Sequence, residues 1–422
     1  MGPRELTLSL LDELFTGSPE HEFDVRLWDG TTWNPPGSGS PRFTIVLRHP
    51  GTLRKMFLPG GEVRMAEAYI YDDFDVEGNL EAIFPLADSL LLKLPGRGKR
   101  LALIRKLMSL PRAHRAASGR KPARTRGKPH SIQRDRGAVT YHYDTSNDFF
   151  ALWLDSRMVY SCGYFSAPLD DLETVQERKL EYICRKLHLQ RGERFLDIGC
   201  GWGGLVLYAA QKYRVDALGI TLSKPQADLA NERIRRAGLE RCSVEVRDYR
   251  EVEGTFDKIA SVGMFEHVGA ALLPVYCARA YRLLRARGLF LNHGIAEPRA
   301  RTGRRRPGFS DRYVFPDGEL LPIDATLRAA AESGFEVRDV ESLREHYTMT
   351  LRHWVRRLEA HHAEAVRFTD EATYRVWRLF MSATAHRFAT GQSNVYQALL
   401  VKPEEGDSGM PLTRDNWYTS AW

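Results

Sequence analysis

The chain has 422 residues, 43% of them hydrophobic and 10% aromatic, which suits two packed domains rather than one ordinary core. It has no apolar run of about 20 residues, which excludes a membrane-spanning helix, and its five cysteines (162, 184, 200, 242 and 277) lack the paired spacing of a zinc site or a disulfide framework. The net charge of +7 is concentrated, with fifteen Lys/Arg against one acid, Asp135, between Lys93 and Arg136.

Residues 1–92 are expected to form a small α+β module. It begins with an acidic amphipathic segment that does not read as a signal peptide. Thr44–Leu47 and Arg54–Phe57 look like strands joined at Pro50-Gly51, and 62–71 and 80–92 look helical. The basic stretch, 93–137, follows as a linker. Within it, Lys99 to Leu110 places Leu103, Ile104, Leu107 and Leu110 on one helical face. That stripe, with its cations, suggests peripheral contact with an anionic membrane from the cytoplasmic side. Electrostatic attraction to nucleic acid is the competing use of such a segment, but no nucleic-acid-binding module is recognisable, so none is expected as a partner.

From 138 to 422 the pattern alternates strand and helix, as in a doubly wound α/β sheet. Strands are expected near 194–199, 215–221, 243–248, 256–262 and 288–293. The helices fall near 172–188, 204–213, 225–238 and 271–285. Two late strands, 335–340 and 395–401, would form an antiparallel end, with a helical insertion at about 350–390 between them.

Phe195 to Gly204 reads FLDIGCGWGG, a strand that breaks into a glycine turn and opens a helix. Gly199, Gly201 and Gly203 have no Cβ, so a ligand can lie against bare backbone at the helix N-terminus. Gly199, Gly201 and Gly204 also fit the dinucleotide spacing GxGxxG. A dinucleotide fold, however, wants an acid at the end of the next strand, where Thr221 and Leu222 stand. The acid sits before the glycines, at Asp197. That order resembles the first motif of class I S-adenosylmethionine (AdoMet) methyltransferases. In such a fold Gly199 and Gly201 would carry the methionine portion of AdoMet. The turn through Thr221, Leu222 and Gln226 would meet the ribose, and Tyr249 and Arg250 the adenine region.

Three further segments are long and specific: YHYDTSND from Tyr141, MVYSCGYF from Met158 and SVGMFEHVG from Ser261. With the glycine motif and the TLSKPQ turn they closely resemble the cyclopropane-fatty-acyl-phospholipid synthase family, which includes the mycolic acid cyclopropane synthases. The resemblance runs from about residue 140 to 402, and more weakly into GEVRMAEAYIYDDFDVEGNL from Gly61. It implies a class I methyltransferase Rossmann-like sheet with a helical insertion, and a small N-terminal α+β domain. It also implies methylene transfer from AdoMet to cis double bonds of phospholipid acyl chains, through a carbocation, with bound bicarbonate as the base. The bicarbonate ligands carry over to Cys162, Glu266, His293, Ile295 and Tyr347. Tyr160, Ser161 and Val262 join the expected cofactor contacts. Related enzymes make methyl- or methylene-branched chains by the same chemistry, and a homodimer is admitted by the resemblance. Tyr249-Arg250 stands where the mycolate enzymes carry Trp-Glu, and Asn292 and Gly294 depart from the family's usual LHTIG. Arginines 299, 301 and 304–306 form a basic insertion that suits a phospholipid headgroup and equally a solvated loop.

Overall fold

In the computed structural model, which describes residues 1–15, 20–58, 61–92, 97–112, 118–125, 127–143, 145–298 and 307–418, the chain divides into two units. The first comprises Met1–Pro122, Arg306–Val314 and Thr369–His386; the second comprises Ala123–Arg305, Phe315–Phe368 and Arg387–Trp422. The basic insertion after Ala296 lies outside the described residues.

The first unit holds strands β1 (Phe23–Arg26), β2 (Thr32–Trp33), β3 (Phe43–Leu47) and β4 (Phe74–Gly78), in the order β2-β1-β3-β4. The expected hairpin partner of β3 is instead a helix, Thr52–Phe57. Leu53 and Met56 are buried three residues apart, a helical spacing that a four-residue window cannot separate from a strand. The Thr52 hydroxyl fixes the start of this helix by donating to the carbonyls of His49 and Asp73, and β4 takes the place beside β3.

The helix Arg97–Ser109 corrects a second expectation. Its apolar stripe does not face outward: Leu107 and Leu110 are buried in the core of this unit, and Leu103 packs against it. Lys106 pairs with Glu13 at 2.7 Å, and Arg54 donates to the carbonyls of Met108 and Leu110. The opposite face carries exposed Leu101 and Met108 among Arg100, Arg105 and Arg112. The helix is thus recruited into a core that residues 6–86 otherwise build.

The second unit is built on a seven-stranded sheet. Its strands are β5 (Arg194–Ile198), β6 (Asp216–Thr221), β7 (Cys242–Val246), β8 (Phe256–Val262), β9 (Leu284–Ala296), β10 (Glu336–Ser342) and β11 (Asn394–Val401). Their order is β10-β11-β9-β8-β5-β6-β7, and β11 alone runs antiparallel, inserted between β9 and β10. Helices Leu172–Lys186, Gly204–Tyr213, Lys224–Arg236 and Leu273–Leu283 cover it, over one apolar cluster built around Phe195 and Val206 and another around Leu196 and Phe290. The chain proceeds from β5 outward to β7 and then crosses back to β8, so the carboxyl ends of β5 and β8 border the switch point where such sheets bind ligands. This is the α/β class expected.

Candidate active site

The glycine turn after β5 is pinned to the neighbouring strand, because the amides of Gly199 and Cys200 both donate to Ile220 O at 2.9 Å. Its three expected ligand-facing glycines divide by role. A Cβ at Gly199 would strike Met264 at 2.6 Å, and one at Gly203 would strike Leu207 at 2.9 Å and Ala230 at 3.0 Å, so both serve close packing. At Gly201 a Cβ would meet nothing within 4 Å, and the same holds at Gly263, after β8. Gly201 and Gly263 therefore present bare backbone to the cavity at the switch point, and both have positive φ (54° and 67°).

Of the expected cofactor contacts, Gly199, Gly201, Thr221, Leu222, Gln226 and Tyr249 line this one cavity. The Thr221 hydroxyl donates to Gln226 Oε1 at 2.7 Å and accepts from Ser223 N, which holds the Gln226 amide at a fixed angle. Gln226 Nε2 is then left buried without a partner, as is the Tyr249 hydroxyl. Two buried polar groups aimed at one cavity, beside bare glycine backbone, fit a ligand with ribose-like hydroxyls and an aromatic base. These are the demands of AdoMet.

Arg250 is not brought to this wall. Its guanidinium donates to Asp248 at 2.6 and 2.7 Å, to Asp135 at 2.8 Å and to His130 O at 3.0 Å, so it braces the helix Ile132–Tyr143. Val262 pairs with His293 inside the sheet, and its successor Gly263 reaches the cavity instead. Asp248, expected beside Tyr249 after the third strand, lines the cavity too, and Asp135, Val139, His267 and Asp317 join the wall without having been expected there.

A second cluster lies where β8 ends against β9. Glu266 sits in a single turn after β8, and its Oε1 accepts from Ile295 N at 2.7 Å. Ile295 thus positions Glu266. His293 lies two residues earlier on β9, on the same face. Opposite it in register is Gln397 of β11, whose Nε2 donates to His293 Nδ1 at 3.1 Å. That bond leaves the ring proton of the neutral imidazole on Nε2. Both Glu266 Oε2 and His293 Nε2 are buried and lack partners. Burial raises the Glu266 carboxyl to about 7 and drops His293 to about 3, the latter helped by the charges of Lys179 and Lys186. The departures from the family motif have local reasons here. A Cβ at Gly294 would meet the Phe265 ring at 2.2 Å, and Asn292 accepts from the Tyr276 hydroxyl at 2.9 Å.

Cys162 is buried, and its thiol donates to the carbonyls of Gly163 and Leu343, so the side chain is turned into protein. Tyr347 packs on Trp354 and Phe388, with centroids 5.9 and 4.8 Å apart. Trp354 in turn meets Tyr160 at 5.2 Å, and the Tyr160 ring stacks on His142 at 5.8 Å. These rings make a continuous aromatic wall. Ser161 contributes no atom to the glycine-lined cavity; its hydroxyl accepts from the buried Lys179 at 2.6 Å. Asp197 is fully buried, its Oδ1 has no partner, and desolvation lifts it to about 7 against the opposing pull of Lys179.

Lys179 and Gln397 escaped the sequence reading. A signal for Lys179 was present: Gln176 and Lys179 interrupt the buried face of a helix otherwise marked by Leu172, Val175, Leu180 and Ile183. Gln397 had none, since a lone glutamine in a strand is ordinary.

Comparison with known proteins finds relatives over most of the chain. The family model for mycolic acid cyclopropane synthetase matches residues 130–398, and a domain of unknown function matches residues 10–89. A probable fatty acid methyltransferase of Pseudomonas putida is 37% identical over 401 residues, covering 93% of this chain and 95% of its own. The cyclopropane-fatty-acyl-phospholipid synthase of Escherichia coli K12 is 37% identical over 273 residues, 65% of this chain and 69% of its own. Among solved structures, mycolic acid cyclopropane synthase CmaA1 complexed with SAH and CTAB superposes with a TM-score of 0.60 at 32% identity, covering 65% of this chain and 99% of that one.

Proposed function

The chain belongs to the mycolic acid cyclopropane synthetase family, and on that premise we propose that it converts cis double bonds of phospholipid acyl chains to cyclopropanes, with bicarbonate as the base. At the coarser level it is an AdoMet-dependent one-carbon transferase acting on lipids. The observation that carries the finer reading is the pair of buried orphans, Glu266 Oε2 and His293 Nε2, where β8 ends against β9. One is an acceptor when ionised and the other a donor. A bicarbonate ion, which has both an O–H and anionic oxygens, complements the pair.

AdoMet would be held by Gly201, Gly263, Gln226 and Tyr249, and supplies an electrophilic methyl carbon when bound. Glu266, raised to about 7, can hold or release a proton near neutral pH, as removing a proton from a one-carbon adduct requires. His293 stays neutral, so it donates through Nε2 without competing for that proton. The aromatic wall of Tyr160, Trp354 and Tyr347 offers π faces to positive charge on a hydrocarbon chain and keeps water from it. The acyl chain comes, in this reading, from an anionic membrane surface met by the outer face of the helix Arg97–Ser109. Among the described residues no helix is long and apolar enough to cross a membrane.

A second reading, transfer giving a methyl- or methylene-branched chain, is favoured by the Pseudomonas relative, which matches nearly the whole chain and bears the name of a fatty acid methyltransferase. Expression in cells making unsaturated phospholipids decides. Acyl chains one CH2 heavier, with cyclopropane proton signals by NMR, are expected. Branched-chain signals would replace the first reading by the second, and unchanged acyl chains would remove both.

A further inference from the structure

Gln397 lies in the middle of β11 and is fully buried. Its register neighbours are Glu341 on β10 and His293 on β9, so the three side chains stand in one row on one face of the sheet. Lys186 takes the outer member of that row, donating to Glu341 Oε2 at 2.5 Å. Gln397 Nε2 is left to the inner member and donates to His293 Nδ1 at 3.1 Å. This is the one side-chain hydrogen bond of Gln397 among the described residues, for its Oε1 is buried without a partner. A buried amide with an orphaned oxygen is destabilising, and methionine, of similar length, would fill the place without that penalty. Nor does Gln397 fasten one segment to another. Gln176 does so, by donating to the carbonyls of Val159 and Ser161; Gln397 meets a ring nitrogen only.

That contact decides the character of the ring. A neutral imidazole has one donor and one acceptor nitrogen, and an amide N–H can only donate. Nδ1 must therefore accept, and the ring proton sits on Nε2, which is buried and unpartnered. A carboxylate at the same place would accept from Nδ1–H and leave a lone pair on Nε2, the arrangement of a general base. The amide makes His293 the opposite, a donor. Two residues further along β9, Ile295 N holds Glu266, so donor and carboxylate are anchored on one strand. We propose that Gln397 is a positioning residue, which fixes His293 as a hydrogen-bond donor at Nε2 and thereby commits this site to an anion of the bicarbonate class. The proposal rests on the bicarbonate reading above, and Gln397 acts through His293 alone.

The test reads the ring directly. The full chain, labelled with nitrogen-15 histidine and saturated with S-adenosylhomocysteine, is studied by long-range proton–nitrogen correlation, with the His293 signals identified by their loss in His293→Gln. Expected is a neutral ring with its proton on Nε2, and a shift of that N–H signal when bicarbonate is added. A proton on Nδ1 overturns the proposal, as does an unmoved signal in a protein that binds bicarbonate. Both readings need the wild type alone, so they decide even where a variant fails to fold. In Gln397→Met the two tautomers should average, and bicarbonate titrated calorimetrically should bind about tenfold more weakly. S-adenosylhomocysteine affinity should be kept, and the melting temperature kept or raised. A merely structural glutamine would lower the melting temperature and leave tautomer and bicarbonate affinity as they were, which overturns the proposal. A wild type that binds no bicarbonate refutes the anion reading itself, a result distinct from equal binding by wild type and variant.

Discussion

The buried charges of the first unit and the buried polar atoms at the switch point of the second are handled in opposite ways. In the first, Arg375 and Arg378 are nearly buried, yet each is matched. Arg375 donates to the carbonyls of Tyr69 and Phe74 and to Asp75; Arg378 donates to the Tyr69 hydroxyl and the carbonyls of Val76 and Gly78. Asp73, with no exposed surface, lies between His49 and Lys55. In the second unit, Gln226, Tyr249, Glu266 and His293 each keep a buried polar atom without a partner. Each such orphan costs about 1–3 kcal/mol unless a ligand or water meets it. Matched charges hold a module together, whereas orphans clustered at the switch point mark where binding energy is recovered. The first unit reads as scaffold and the second as site.

The sharpest test of that contrast removes orphans. Glu266→Ala and His293→Ala should each lower turnover by about 10²–10⁴-fold, while AdoMet affinity by calorimetry stays near wild type, because neither residue lines the glycine cavity. Turnover near wild type in both would break the contrast at its centre. The linkage of Glu266 to stability has a definite sign. Its carboxyl is raised from 4.5 to about 7 on folding, so the folded state holds the proton more tightly. Its contribution to stability is therefore lost as pH rises across that interval. Glu266→Gln should make thermal stability of the ligand-free protein decline less steeply there than wild type.

Next in size is the cofactor end. Gly201→Val places a side chain in the open space over the turn and forces a branched residue to φ 54°. AdoMet binding should fall below detection in a protein that still unfolds cooperatively. Retained affinity would mean that the cofactor does not lie against Gly201.

The scaffold side is probed by Arg375→Met. Several acceptors lose their donor together, and a loss of about 2–4 kcal/mol in unfolding free energy is expected. Calorimetric AdoMet affinity should stay unchanged. A variant of unaltered stability that loses AdoMet would reverse the assignment of scaffold and site.

These contrasts also explain what was legible in the sequence. The cofactor end was readable because one contiguous run, FLDIGCGWGG, carries both the turn and the helix start. Its internal division was not, because which glycine faces a ligand depends on Met264, Leu207 and Ala230, which are distant in sequence or on the far side of a turn. Glu266 and His293 were reachable only through family motifs, since each alone is an ordinary residue at a strand end. Gln397 acquires its meaning from the register of β11 against β9, which no local pattern encodes. In the first unit the strand expected at Arg54–Phe57 failed because four apolar or basic residues fit either period. The stripe of the basic helix was seen correctly as apolar, but amphipathicity does not say whether protein or lipid takes the apolar face.

That last ambiguity leaves the smallest expected effect. The inner stripe is occupied by the core of the first unit, so a bilayer can meet only the outer face. There Leu101 and Met108 are 58% and 51% exposed, seven residues apart and thus on one side of the helix. Arg100, Arg105 and Arg112 around them are exposed and make no ion pair among the described residues. Each such cation contributes about 1 kcal/mol near an anionic surface, and salt screens it. Leu101→Glu with Met108→Glu should therefore weaken cosedimentation with anionic vesicles by about tenfold while leaving the melting temperature alone. Leu107→Glu, aimed inward, should instead destabilise the first unit. If the outward pair sediments like wild type, or if neutral vesicles bind as well as anionic ones, this helix is scaffold on both of its faces.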